Sequence, residues 1–137
     1  MGDPECQTIL PLVDSDLLEI INSCCNSKLK THEIKWKNKK SMCIALCSKG
    51  YPEKYNKNVE IKNLKEFKST KDNFIFHAGT KSSGNKIVAV GGVINFVNIS
   101  DSYLSSRKEI INQINKLNWE DGFYRSDIGH KVIDKWE

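Results

Sequence analysis

Five cysteines, three histidines, one Arg-x-Asp pair and one lysine in a turn are the side chains of this sequence whose types invite chemistry. Cys6, Cys24, Cys25, Cys43 and Cys47 form no Cys-x-x-Cys, and His32, His77 and His130 stand at no metal-ligand spacing. Neither a zinc site nor a redox dithiol is expected from them. An odd set of thiols, two in an apolar helical pattern and two on one face of a strand, reads as buried free cysteines acting as small hydrophobes in a reducing compartment. Lys81, beside Thr80, has the chemistry of a phosphate holder, a point charge on a flexible stem, and equally that of a solvated turn lysine. Arg125 and Asp127 are spaced for an ion pair that fixes an irregular C-terminal segment. Gly91-Gly92 precedes no helix N-terminus, so it reads as a close backbone approach or a bulge and not as a phosphate cradle. Asp3 before Pro4 fits an Asx turn, and Glu5 is expected to hold that loop through backbone contacts.

Those residues need a scaffold, and the composition sets its scale. The chain has 137 residues and a net charge of +4. That is one domain, or one domain plus a piece of another. With 39% hydrophobic and 28% charged residues, it is an ordinary globular composition. Nineteen of the 21 basic residues are Lys, and 13 residues are Asn, all spread along the chain. A nucleic-acid surface concentrates Arg for bidentate contacts, so no nucleic-acid partner is expected. No apolar run approaches the ~20 residues of a bilayer span, and Met1–Gln7 has neither a basic n-region nor an apolar h-region. A cytoplasmic protein without a membrane partner is expected.

The periodicities predict the elements. Met1–Pro11, broken by two prolines, reads as loop or edge. A helix capped by Asp14 or Ser15 carries Leu17, Leu18, Ile21, Cys24 and Cys25 and stops near Asn26–Lys28. Thr31–Lys40 is a charged connector. Ser41–Ser48 is a buried strand ended by Gly50-Tyr51-Pro52. A short strand is expected at Val59–Ile61. Asn73–Gly79 and Lys86–Val90 are expected to form a β-hairpin around Ser82-Ser83-Gly84-Asn85. Val93–Ile99 is a further strand. Tyr103, Arg107, Ile110, Ile111, Ile114 and Leu117 share one face of an amphipathic helix over Ser102–Asn118. Trp119–Gly129 is aromatic and irregular, with its rings read as packing, and a last helical turn follows at His130–Trp136. The whole predicts an α+β fold in which one helix covers a small antiparallel sheet.

Six stretches, taken in order, carry a resemblance. They are Gly2-Asp3-Pro4-Glu5-Cys6-Gln7, Leu10-Pro11-Leu12 with Ser15-Asp16-Leu17-Leu18-Glu19, Gly50-Tyr51-Pro52, His77-Ala78-Gly79-Thr80, Gly91-Gly92, and Trp119 through Gly129. Their order and spacing resemble the last third of glycinamide ribonucleotide synthetase (phosphoribosylamine–glycine ligase), an ATP-grasp enzyme, over essentially the whole chain.

The resemblance implies a ligase that joins glycine to 5-phosphoribosylamine with ATP, through an acyl phosphate of glycine. It implies ATP and Mg or Mn as cofactors of the full-length enzyme. In the family a Glu-x-Asn-x-Arg segment holding metal ligands directly precedes the Gly-Asp-Pro-Glu stretch. Here Met1 stands just before Gly2. The expectation is therefore a C-terminal fragment, inactive alone and binding no cofactor, whose partners are the missing N-terminal and ATP-grasp portions and small-molecule substrates. Residues 1–35 would be the tail of the ATP-grasp core, and residues 36–137 a barrel-sandwich-hybrid-like C-terminal domain. Gly2, Asp3, Pro4, His77 and Lys81 would bind substrate, Asp3 lining the glycine pocket and His77 and Lys81 contacting the phosphoribosyl group. No catalytic or metal-ligating residue is expected in this segment. The alternatives are a free-standing phosphoribosyl- or partner-binding module and a non-functional gene remnant. Two departures stand out: Val93 follows the Gly pair where many relatives carry an arginine suited to phosphate, and Lys49 replaces the first glycine of Gly-Gly-Tyr-Pro. If position 49 needed positive φ, the lysine would cost ~1 kcal/mol.

Overall fold

The computed structural model describes residues 2–136. The elements run α1 (Glu5–Ile9), a 3-10 turn (Leu10–Leu12), α2 (Leu17–Cys25), β1 (Lys40–Ser48), β2 (Val59–Glu60), β3 (Asn73–His77), β4 (Thr80–Ser83), β5 (Lys86–Ala89), β6 (Val93–Ser100), α3 (Tyr103–Lys116), β7 (Gly122–Phe123) and α4 (His130–Trp136). The strands form two antiparallel sheets, ordered β3-β6-β1-β7 and β2-β5-β4. This is the expected α+β class.

The central pair β1–β6 runs in register from Lys40 opposite Ser100 to Cys47 opposite Val93. A strand's side chains alternate between faces, so this register sorts the residues into two sets. One face carries Met42, Ile44, Leu46, Ile94 and Phe96, all buried with Ile110, Ile114 and Trp119. Helix α3 covers it, lying on β1 and β6. Ser102 caps α3 by accepting from the Ser105 N–H at 3.1 Å, which satisfies one of the helix's orphan donors. The other face carries Cys43, Ala45, Cys47, Val93 and Asn95, with Phe74 and Phe76 of β3 beside them.

Three local expectations are corrected. The segment read as loop up to Pro11 is helical: Pro4 stands at the N-cap of α1, Glu5 opens its first turn, and Pro11 sits at the start of the 3-10 turn. Proline is tolerated at those positions because the amide it lacks would have no partner there. The cap of α2 is Asp16, not Asp14 or Ser15. Its Oδ1 accepts from the Leu18 and Glu19 amides at 2.8 and 3.1 Å, the reach that N2 and N3 require. The hairpin closes between β4 and β5, whereas Asn73–His77 pairs with β6 in the other sheet. A two-residue turn at Gly84-Asn85, with Gly84 at φ +58°, joins strands that flank it directly, so Thr80–Ser83 takes the place expected for the earlier segment.

The cysteine reading is corrected in part. Cys24 and Cys25 are exposed, while Cys6, Cys43 and Cys47 are half-buried free thiols. Lys49 is not among the residues with positive φ, so the strain considered for it does not arise. The aromatic tail divides. Trp119 is buried, Tyr124 packs on the core, and Phe123 is exposed.

Candidate functional site

The site is built where the N-terminal segment lies over the open face of the four-stranded sheet. A cavity of about 260 Å³ is lined there by Asp3, Pro4, Ala45, Cys47, Tyr51, Ala78, Gly91, Val93 and Asn95. Small residues on facing strands make the space. Ala45 of β1 lies opposite Asn95 of β6, and Cys47 lies opposite Val93. The segments at 79 and 91 meet backbone to backbone at its rim. A Cβ on Gly79 would fall 2.6 Å from the Gly91 backbone, and one on Gly91 would fall 2.9 Å from the Gly79 Cα. Both positions therefore require glycine, and the Gly-pair reading of close backbone approach holds.

Asp3 is tied to its own helix: the Gln7 Nε2 donates to Asp3 Oδ1 at 2.8 Å. Asn95 is 2% exposed, and its Oδ1 is buried without a hydrogen-bond partner. Such an orphan acceptor costs about 1–3 kcal/mol. Burial raises the thiol pKa of both cysteines on this face. That of Cys43 is pushed up to about 12, with the negative charge of Asp3 adding to the effect of burial. That of Cys47 is raised by burial. Both are therefore neutral thiols at physiological pH, and the wall offers no thiolate nucleophile. Among the described residues, the cavity wall contains one carboxylate and no cationic side chain.

The sequence-derived candidates are thus split. Asp3 and Pro4 line the cavity, with Gly2 adjacent in the same turn. His77 ends β3 just before Ala78, and its Nδ1 lies 2.8 Å from Thr80 Oγ1. Lys81 lies elsewhere, in a groove of about 450 Å³ with Asn58, Glu60, Ser83, Lys86 and Val88. Lys86 in that groove is paired with Glu60 at 2.9 Å. Arg125 and Asp127 form the expected ion pair at 2.6 Å, which raises the arginine's pKa and lowers the carboxyl's. Sequence reasoning did not single out Ala45, Cys47, Tyr51 or Asn95 as cavity residues. Tyr51 stood in the Gly50-Tyr51-Pro52 stretch, and the other three carry no signal beyond their places in β1 and β6.

The family model for the phosphoribosylglycinamide synthetase C domain matches residues 41–131. The chain belongs to this family. Among similar proteins, the phosphoribosylamine–glycine ligase of Caldanaerobacter subterraneus subsp. tengcongensis is 44% identical over 93% of the chain and 30% of its own length. The bifunctional purine biosynthetic protein purD of Dictyostelium discoideum is 41% identical over all of the chain and 17% of its own length. The crystal structure of the Thermotoga maritima phosphoribosylamine–glycine ligase superposes with a TM-score of 0.68 at 21% identity, over 93% of the chain and 31% of that structure. This last likeness is one of fold. The chain spans about 30% of the length of the bacterial relatives. Among the described residues, no helix is long and apolar enough to cross a membrane, and no three His, Cys, Asp or Glu residues come together to hold a metal ion.

Proposed function

We propose that this chain is the C-terminal part of a phosphoribosylamine–glycine ligase and contributes one wall of its substrate site. The enzyme would join glycine to 5-phosphoribosylamine with ATP, releasing ADP and phosphate and giving glycinamide ribonucleotide. The observation that carries this reading is the cavity in which the Asp3-Pro4 turn meets Ala78, Gly91, Val93 and Asn95. Four of the stretches behind the resemblance, remote in sequence, line one space with Val93 just after the Gly pair. The family match supports it.

In this reading residues 1–35 belong with the ATP-grasp core and residues 36–137 form the C-terminal domain. Helix α2 fits that division, because Leu17, Leu18 and Ile21 are 41%, 75% and 50% exposed on a helix that would pack on more of the enzyme. The chain's own residues do not fit a metal–nucleotide complex. Among the described residues they bring together no metal-ligating cluster, and the cavity has no cationic side chain for phosphate. ATP and its Mg or Mn therefore belong to the upstream portion, and no step through them is assigned to this segment. What this segment does is orient the small substrates and exclude water from the reacting groups. Lys81 makes no ion pair among the described residues, unlike Lys86, so its charge is available for the sugar phosphate. His77, next to Ala78, is the proposed neighbouring contact. Five free thiols suit a reducing cytoplasm.

The test is ATP turnover dependent on both glycine and phosphoribosylamine. The full-length enzyme carrying this segment should show it, and the 137-residue chain alone should show none. Turnover by the chain alone, or its absence from a folded full-length enzyme, contradicts the reading.

A further inference from the structure

Asn95 is a buried amide in a wall whose other polar side chains, among the described residues, are Asp3, Tyr51 and Cys47. It lies in the middle of β6, opposite Ala45 on one side and Phe76 on the other. Neither neighbour's side chain can hydrogen-bond to it, and its Oδ1 has no partner. Asn95 is also 2% exposed, yet it lines the same cavity as Asp3, the one carboxylate there among the described residues. A carboxylate is acceptor-only, and an amide oxygen is an acceptor. A terminal amide torsion is broad and two-fold, so either end of the group can meet a ligand. With no cationic side chain in the wall among the described residues, a phosphate or carboxylate would meet the Asp3 charge unopposed. A protonated or neutral amine would meet complementary groups.

We propose that Asn95 and Asp3 together recognise the amino group of a small substrate, Asp3 supplying the charge and Asn95 the second acceptor. The substrate class rests on the ligase reading, which has two amines to offer: that of glycine and that of the phosphorylated sugar. Asn95 is then the specificity residue of this wall. It is retained at a cost in stability, because an apolar residue of similar size would remove a buried unpaired acceptor.

The test has two arms. In the 137-residue chain, methylammonium should shift the NMR signals of Asn95 and of the Ala45, Cys47 and Ala78 backbone amides around it, inorganic phosphate should not, and Asn95→Leu should abolish the shifts of those three neighbours while raising Tm by a few degrees. In the full-length enzyme, Asn95→Leu should raise KM for one of the two amine substrates roughly 10- to 150-fold and leave KM for ATP unchanged. Separate titration of glycine and phosphoribosylamine identifies which amine is bound. Asn95→Asp, which keeps the acceptor and the shape, should retain most of the affinity. The proposal is overturned if phosphate and not methylammonium moves the Asn95 signals, if neither does, or if Asn95→Asp loses as much as Asn95→Leu. A wild-type full-length enzyme without turnover would remove the ligase reading, and the methylammonium titration would still decide the fate of the pair.

Discussion

The two faces of the four-stranded sheet are made from the same strands and differ by one residue of register. On one face Met42, Ile44, Leu46, Ile94 and Phe96 are at most 7% exposed and lock under α3. On the other, Cys43, Ala45 and Cys47 are half-buried, and the N-terminal segment covers them loosely enough to leave the cavity beside Asp3. The sealed face has large apolar groups from two layers. Around the cavity the open face has small side chains, a carboxylate at its edge and an orphan amide, with Phe74 and Phe76 of β3 beside them. A protein that needed only stability would have filled the second face as it filled the first. In the proposed reading, the cavity marks the side that meets ligand.

The comparison is broken most directly by truncation. Phe96, 0% exposed on the sealed face, should lose about 3–5 kcal/mol on replacement by alanine. Cys47→Ala on the open face should cost about 1 kcal/mol or less, the scale of one half-buried small group. Urea unfolding of both variants of the 137-residue chain checks the contrast, and equal losses would erase the distinction between the faces.

A pH series sharpens it next. The Cys43 thiol titrates near 12 in the folded chain, against an ordinary value of 9.0. Because the folded pKa is the higher, the folded state holds the proton longer. Stability from this group is complete below about pH 9 and is lost as pH rises toward 12. Cys43→Ala should flatten the fall in urea midpoint between pH 8.5 and 10.5 relative to the parent chain. An unchanged slope would mean that the open face does not shield the thiol.

Between the cavity and the hairpin groove the contrast is one of charge. Lys81→Ala in the full-length enzyme should raise KM for phosphoribosylamine about 10- to 150-fold, the loss of one charge-assisted contact. KM for glycine and ATP should change far less. Steady-state kinetics with each substrate varied in turn measures this, and an unchanged KM returns Lys81 to the solvated turn.

The elements of the sealed face were legible from the sequence. The continuous apolar run over Ser41–Ser48 marked the strand, and the 3.6-residue repeat from Tyr103 to Leu117 pointed to residues now found buried or packed on the core. The hairpin was misassigned because Phe74-Ile75-Phe76 looks like a hydrophobic hairpin strand. Thr80–Ser83 carries almost no apolar signal, since its burial is low, and only the two-residue turn discloses it. The N-terminal helix was missed because its two prolines occupy the positions where a helix start or a 3-10 turn accepts them. The cavity was half legible. Asp3, Pro4 and the glycines stand in recognisable stretches, but Ala45 and Asn95 join them only through strand register, a long-range property that no local window contains.

The central claim is that the open face serves the substrate, and hydrogen–deuterium exchange on the full-length enzyme tests it most directly. On adding glycinamide ribonucleotide, protection should rise over residues 3–8, 45–48, 77–81 and 91–95, and stay unchanged over α3 at residues 105–116. Protection gained on α3 with none across residues 3–8 and 91–95 would contradict it.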